Sequence, residues 1–352
     1  MVRLSDVARA AGVSTATASR ALSRPGMVAA GTRERVRAAA ETMGFEFNAS
    51  ARALTTGRTG LTGVLVPSLA NPYFAPIVTG VQRALSQDGD NILLAVSEGS
   101  RSSELELAGK LASRVDGLVF IAPVSPEAVI RGFTAKLPVV TVDRTVPSVP
   151  GVLIDTPGGV ADIVTHLAGL GHRAIAYVGG PDGSWMAERR TTAVQEAARR
   201  GGVDLTVLGP VAPRIDAGLA VAEHIAAERA VTAVVAYSSY LLIGLRLGLR
   251  DAGVRVPADI SLAASDDLTA ISTDRPDTTA LRVPLEEAGA AAVRLLQEPN
   301  PPKRARRVRV ATGLIVGAST ARVASTARVA STAEAAGAAE VAGAAEVADG
   351  AV

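Results

Sequence analysis

Thr15, Ala16, Thr17, Ser19 and Arg20 lie within one short stretch and carry hydroxyls, a methyl group and a guanidinium. Such a set can read a surface rather than break a bond. Arg20 can bond guanine bidentately, Thr15 can meet a base edge or a thymine methyl, and Thr17 and Ser19 can reach phosphate oxygens. Residues for catalysis are not assembled in this way. Gly179-Gly180-Pro181-Asp182-Gly183 is a poor imitation of a dinucleotide loop, and no phosphate loop, nucleophile elbow or H-E-x-x-H occurs. Asp266-Asp267 has no facing partner that sequence can show. With no Cys, and with His166, His172 and His224 scattered, neither a thiolate nor an imidazole metal site is expected. The chain is expected to be no enzyme and to need no cofactor; an α/β enzyme is the alternative that turnover would decide.

The elements around the reading set have helical periodicity. Leu4, Val7, Ala8 and Ala11 fall at i, i+3, i+4 and i+7, one apolar helical face. Gly12 ends that helix and Val13 tucks inward. Ser14 caps a second helix, whose Ala18 and Leu22 face back to the first. Two short helices joined by a Gly-containing turn can place a helix in the DNA major groove, although a small amphipathic pair packed on something else has the same spacing. Charge favours the first reading. Residues 1–60 hold nine Arg against Asp6, Glu34, Glu41 and Glu46, a net +5, while the whole chain is only +2. The rest is therefore acidic, and the concentrated positive unit suits a polyanion. A third helix is expected from Thr32 to Met43, with Val36, Ala39, Ala40 and Met43 inward. Asn48 to Gly57 reads as a two-turn helix, too short to form alone in water.

From Thr62 onward, β-branched runs alternate with helical patterns. The runs are 62–66, 92–96, 117–121, 139–142, 152–154, 174–178, 231–236 and 260–264. Helices are expected at 74–87, 104–113, 158–170, 187–200, 216–228 and 241–252. Alternation implies parallel sheets covered on both faces, with ligands at the carboxyl ends of the strands. The chain of 352 residues is long enough for two or three domains. It shows no apolar secretory region at its start, and its apolar runs are far too short to span a bilayer. A soluble, cytoplasmic protein without a membrane partner is expected.

LSDVARAAGVSTATASRAL (residues 4–22), TRERVRAAAETMGF (32–45) and NASARAL (48–54) resemble the lactose-repressor (LacI/GalR) family of bacterial transcription regulators. The resemblance runs over roughly residues 3–320. It implies a small all-α helix-turn-helix headpiece plus an α/β periplasmic-binding-protein-like core of two doubly wound parallel-sheet subdomains. It also implies a homodimer on a pseudo-palindromic double-stranded DNA operator, acting as a repressor. In such regulators the short helix after the headpiece pairs with its dimer mate in the minor groove, and a leucine wedges between base steps. Leu54 matches that leucine, with Asn48, Ala51 and Arg52 in register. Ser14, Thr15, Ala16, Thr17, Ser19, Arg20, Ser23 and Arg33 complete the candidate DNA contacts. Phe47 stands where a proline is usual, and Ala29 where a capping serine is usual.

The resemblance also implies a small-molecule effector, a sugar or related metabolite, in the cleft between the subdomains. Tyr73 or Phe74 could stack on a ring, and Asn71 or Ser68 could bond a hydroxyl; the same residues would also make an ordinary strand-to-helix turn. Asp143 and Arg144 follow a strand, where an acid can accept hydroxyl protons, cap a turn or form a salt bridge. Arg190 begins a helix across the cleft and can fork onto hydroxyls or a carboxylate, with Arg189 as competitor. Asp266 matches the effector-binding acid. The family usually has Ala-Asn-Asp where Tyr237-Ser238-Ser239-Tyr240 stands, so Ser238 and Ser239 are shorter, uncharged substitutes. Ala264, Ser265 and Val283 also depart from the pattern. An altered effector, or a weakened response, is the expectation. A transport-type binding protein is the other alternative, but it would need a signal peptide and no basic headpiece.

The expected divisions are a headpiece at 1–46, a hinge helix at 47–59, a core at 60–318 and a tail at 319–352. Crossovers between subdomains are expected near 155–159 and 283–286, with Leu285–Gln297 and the strand material at 307–316 returning to the first subdomain. The tail repeats a six-residue unit, which on a helix makes no stripe. It lacks the leucine heptads through which some relatives form tetramers, so a dimer is expected.

Overall fold

The structure is a computed structural model that describes residues 2–23, 25–45, 57–228, 230–266, 277–298 and 305–323. The headpiece holds three helices: α1 (Leu4–Ala10), α2 (Thr15–Ser23) and α3 (Ala30–Thr42). Val7, Ala8, Ala11, Ala18, Ala21, Val36 and Ala40 form its buried core, and Leu4, the remaining residue of the expected first-helix face, is partly buried against it. Gly12 has φ +66°, a left-handed turn that a side chain would resist. The Thr17 amide donates to Ser14 Oγ at 3.1 Å, which fixes the start of α2. Ala29 stands at the N-cap of α3 and supplies no side-chain bond.

The core chain runs β1 (Leu61–Val66), α4 (Phe74–Ser86), β2 (Asn91–Val96), α5 (Arg101–Ala112), β3 (Gly117–Ile121), α6 (Glu127–Phe133), β4 (Val139–Val142) and β5 (Gly151–Ile154). It continues through α7 (Thr156–Gly169), β6 (Ala174–Val178), α8 (Trp185–Gly201), β7 (Asp204–Leu208), α9 (Ile215–Glu228), β8 (Ala233–Ala236) and α10 (Ser239–Asp251). Last come β9 (Ser261–Ala264), β10 (Thr279–Arg282), α11 (Leu285–Leu296), β11 (Arg307–Val310) and β12 (Gly313–Ile315). Two six-stranded sheets result, ordered β11-β5-β4-β3-β1-β2 and β12-β10-β9-β8-β6-β7. Every pairing in the first sheet is parallel. In the second, only β12 is antiparallel, against β10. Helices cover both faces of the central strands: Gly117–Ile121, Val139–Val142 and Ala233–Ala236 are buried at every position, with Thr141 the one polar side chain among them.

Two expectations need correction. The strand material at 307–316 does not return as one piece. β11 joins the first sheet and β12 the second, so the chain crosses between subdomains a third time, at residues 311–312. The expected boundary at 318 also falls too early. Ser319 Oγ donates to the Leu262 carbonyl at 2.6 Å and accepts from the Thr279 amide at 2.8 Å, and the Val323 amide donates to the Leu170 carbonyl. Ser319, Thr320 and Ala321 have hydroxyls and backbone groups that the second subdomain can use, so residues 319–323 pack on it despite their repetitive sequence.

Candidate DNA-reading surface and interdomain cleft

On α2 the face expected to read DNA points outward. Ser14, Thr15, Ala16 and Arg20 are exposed and Thr17 and Ser19 half-buried, while Ala18 and Ala21 are the buried residues that seat the helix. Thr17 Oγ1 lies 2.9 Å from Ser14 Oγ, so its hydroxyl is shared with the cap. Arg33 is half-buried on α3. Ser23 closes α2. Asn48, Ala51, Arg52 and Leu54, together with Phe47, lie outside the described residues.

Behind the headpiece, the carboxyl ends of the two sheets meet in a buried cluster. Tyr73, at the start of α4, donates its hydroxyl to Asp143 Oδ2 at 2.6 Å. Asp143 follows β4 with φ +60°, and its Oδ1 accepts the Ile154 amide at 3.3 Å. Ala122 after β3 and Glu98 after β2 also have positive φ. Strained backbone after the adjacent strands β3 and β4 is the kind that gathers at functional sites. From the second subdomain comes Arg190 on α8, which is buried. Its Nε donates to Thr156 Oγ1 at 2.9 Å and its Nη1 to the Tyr237 carbonyl at 3.0 Å. The guanidinium carbon lies 5.7 Å from the Tyr73 ring centroid and 4.6 Å from that of Tyr237, within cation–π range.

Burial disfavours charge throughout this cluster. It pushes the Asp143 carboxyl up, while the Tyr73 hydroxyl, Arg190 and the Ile154 amide pull it back. It pushes Tyr73 well above the ordinary phenol range, and the neighbouring Asp143 adds to this. For Arg190, burial works against the charge, but Tyr237, Tyr73, Tyr177 and Asp143 outweigh it and the guanidinium is held above its ordinary value. Tyr177 on β6 is buried, and its hydroxyl meets no hydrogen-bond partner among the described residues. A buried cation ringed by phenols and one acid can grip a hydroxyl, an oxyanion or an aromatic face.

Residues 3–48 match the lacI family of bacterial regulatory proteins, and residues 164–320 match a periplasmic binding protein-like domain. The catabolite control protein A of Streptococcus mutans serotype c is 32% identical over 303 residues, spanning 84% of this chain and 90% of its own. The chain belongs to the lacI family of bacterial regulatory proteins. The cellobiose complex of the transcriptional regulator CelR is similar, at 26% identity and a TM-score of 0.66, covering 91% of this chain and 100% of that one. So is a LacI family regulator from Enterococcus faecium with bound ribose, at 25% identity and a TM-score of 0.66, covering 75% and 100%.

In this lacI-family regulator the structure brings Tyr73, Asp143 and Arg190 together. The other cleft candidates sit around them with local partners. Phe74 meets the Tyr73 ring edge-on, with centroids 5.5 Å apart. Asn71 Oδ1 accepts the Tyr73 amide and Ser68 Oγ the Ala70 amide, which shapes the turn into α4. Ser238 is buried and caps α10 through the Leu241 amide. Asp266 is buried and accepts from Ser239 Oγ at 3.3 Å; Asp267 lies outside the described residues. Arg144 turns away, with its Nη1 donating to the carbonyls of Pro123 and Ser125 at 2.8 Å each. Arg189 stacks on Trp185 at 4.9 Å instead of entering the cluster. Thr156, Tyr177 and Tyr237 join the cluster without having been singled out as site residues. Only Tyr237 left a signal in the sequence, as a departure from the family pattern.

Proposed function

We propose that this regulator is a homodimeric, sequence-specific repressor that acts in the cytoplasm and does no chemistry of its own. Its headpiece, 1–46, reads half-sites of a pseudo-palindromic operator through Thr15, Ala16 and Arg20. Ser14, Thr17, Ser19, Ser23 and Arg33 hold the backbone, and Leu54 in the 47–59 hinge wedges the centre with Asn48, Ala51 and Arg52 beside it. The observation that carries the reading is the outward face of α2, with Ala16 and Arg20 exposed in a segment of net charge +5. That is the electrostatic and geometric footprint of a groove-reading helix. The cleft cluster of Tyr73, Asp143 and Arg190 supports a small polar effector; the cellobiose and ribose carried by the relatives favour a sugar-like one. An effector that prefers one arrangement of the subdomains would shift the hinge spacing and so the DNA affinity. Selection of bound sites from random duplexes, with and without metabolite extract, tests this. A two-fold-related consensus is the expected result. Binding no stronger than that of a truncation lacking residues 1–59 would sink it.

A further inference from the structure

Tyr237 does not line the cleft passively. It follows β8, and its ring is laid against the Gly180 backbone so closely that a Cβ on Gly180 would sit 2.5 Å from Cε2. Glycine at 180 is what lets the ring in. One face of the Arg190 guanidinium is met by Tyr237 at 4.6 Å, and the Tyr73 ring stands 5.7 Å away. Tyr73 is tied in turn to Asp143. Tyr73 and Asp143 belong to the first subdomain, and Arg190, Gly180 and Tyr237 to the second. The line Asp143–Tyr73–Arg190–Tyr237 therefore bridges the two subdomains with side chains of this chain alone. The carboxyl ends of open parallel sheets are where ligands lie, and a ring stacked on a cation is how an aromatic ligand would be held there.

We propose that the space between Arg190 and Gly180 is a ring-binding site for one phenol-sized planar aromatic, and that Tyr237 is its tethered occupant. The inference rests on the reading of this cleft as the effector site. Tyr237 thus sets what the cleft accepts: a free ligand gains the ring site only by displacing a side chain present at very high effective concentration. The regulator is held in its bridged arrangement without a metabolite, and its response to one is blunted.

The test is rescue by the missing fragment. Full-length wild type, Tyr237→Ala, Tyr237→Phe and Leu245→Ala are melted across a p-cresol series. Leu245 is fully buried in α10 and provides a control cavity. At tenfold its dissociation constant, p-cresol should raise the melting temperature of Tyr237→Ala by about 3–6 °C, saturably. Wild type, Tyr237→Phe and Leu245→Ala should not shift. If Tyr237→Ala folds only when p-cresol is present, that dependence is itself the rescue. Equal responses in Tyr237→Ala and Leu245→Ala, a comparable shift in wild type, or a variant that fails to fold with and without p-cresol would overturn the proposal. No DNA or sugar enters the assay, so its failure is distinct from failure of the operator selection.

Discussion

Replacing Arg190 with methionine should destabilise the second subdomain in a pH-dependent manner. Methionine keeps most of the stem and its contact with the rings, so the loss is largely polar. Two charge-assisted hydrogen bonds go, to Thr156 Oγ1 at 2.9 Å and to the Tyr237 carbonyl at 3.0 Å. The positive charge beside Asp143 goes with them. Each hydrogen bond from a charged donor is worth about 1.5–3 kcal/mol, and leaving Asp143 without its neighbouring cation adds to that, so the expected loss at pH 8 is about 3–5 kcal/mol. Asp143 then decides the slope. Its folded-state value is already raised by burial, and Arg190 is among the groups that restrain the rise. A carboxyl raised in the folded state contributes stability that is fully present below its unfolded value and lost as pH rises through the folded one. Without Arg190 the folded value climbs further, so more is lost on the alkaline side. As the pH falls, protonation of Asp143 removes its buried charge and the deficit falls toward that of the two hydrogen bonds. Asparagine imitates the neutral acid, so adding Asp143→Asn should flatten the slope and recover about 1–3 kcal/mol. Urea unfolding read by Trp185, the only tryptophan and on the same helix as Arg190, measures this. Parallel pH curves for wild type and Arg190→Met, with additive costs in the double variant, would refute the coupling.

Three further outcomes are expected. Arg20→Ala should relax base preference at one half-site position by about 1–3 kcal/mol; an unchanged preference profile removes Arg20 from base reading. Asp116 Oδ1 accepts the Thr59 amide at 2.7 Å and Oδ2 the Gly60 amide at 2.9 Å, so Asp116→Ala should speed exchange of those two amides about 10–30-fold while leaving the β3 amides protected. Finally, His172 Nε2 reaches the Ala321 carbonyl at 3.1 Å and Nδ1 meets Thr232 Oγ1 at 2.8 Å, and burial lowers the imidazole's pKa. Its contribution is present above the unfolded value of about 6.5 and lost as pH falls through the folded one. The Ala321 and Val323 amides should therefore lose protection on acidification in wild type, but not in His172→Ala.

The central strands were legible because burial on both faces leaves a nearly continuous apolar run. Gly117–Ile121, Val139–Val142 and Ala174–Val178 are found at the limits that sequence predicts. β7 escaped for the opposite reason: Asp204–Leu208 is an edge strand, half open to solvent, and shows no such run. β10 escaped because Thr279 and Arg282 break its apolar run, and α6 because seven residues give periodicity little to act on. Within the site, position alone left Asp143 open as a cap or salt bridge and Arg190 in competition with Arg189, and the family resemblance singled them out. Tyr237 could not be singled out, because its role depends on Gly180 and Arg190, which reach it only through the folding of separate βα units.

The geometry also limits how the cleft can speak to the DNA-reading end. Arg58, Thr59 and Gly60 are fastened to Asp90 and Asp116 at the amino-terminal edge of the first sheet. Tyr73 and Asp143 stand at its carboxyl edge, four to six residues of strand away, or about 13–20 Å. The strands between are buried and packed, and a packed sheet does not bend to relay a local shift. A signal must therefore move the sheet as a body, and the places where it can pivot are the crossovers. Asp155 gathers two of the three: its side chain caps α7 and accepts from Arg309 Nη2 at 2.9 Å. Its amide donates to the Val310 carbonyl and its carbonyl accepts from Thr312 Oγ1 at 3.1 Å. The third, at Val283 and Pro284, leads directly into α11, which packs on α4 and the first sheet. Under the proposed effector reading, closing the cleft through Arg190 and Tyr73 would rotate the first sheet about these crossovers, with the edge that carries residues 58–60 farthest from the pivot.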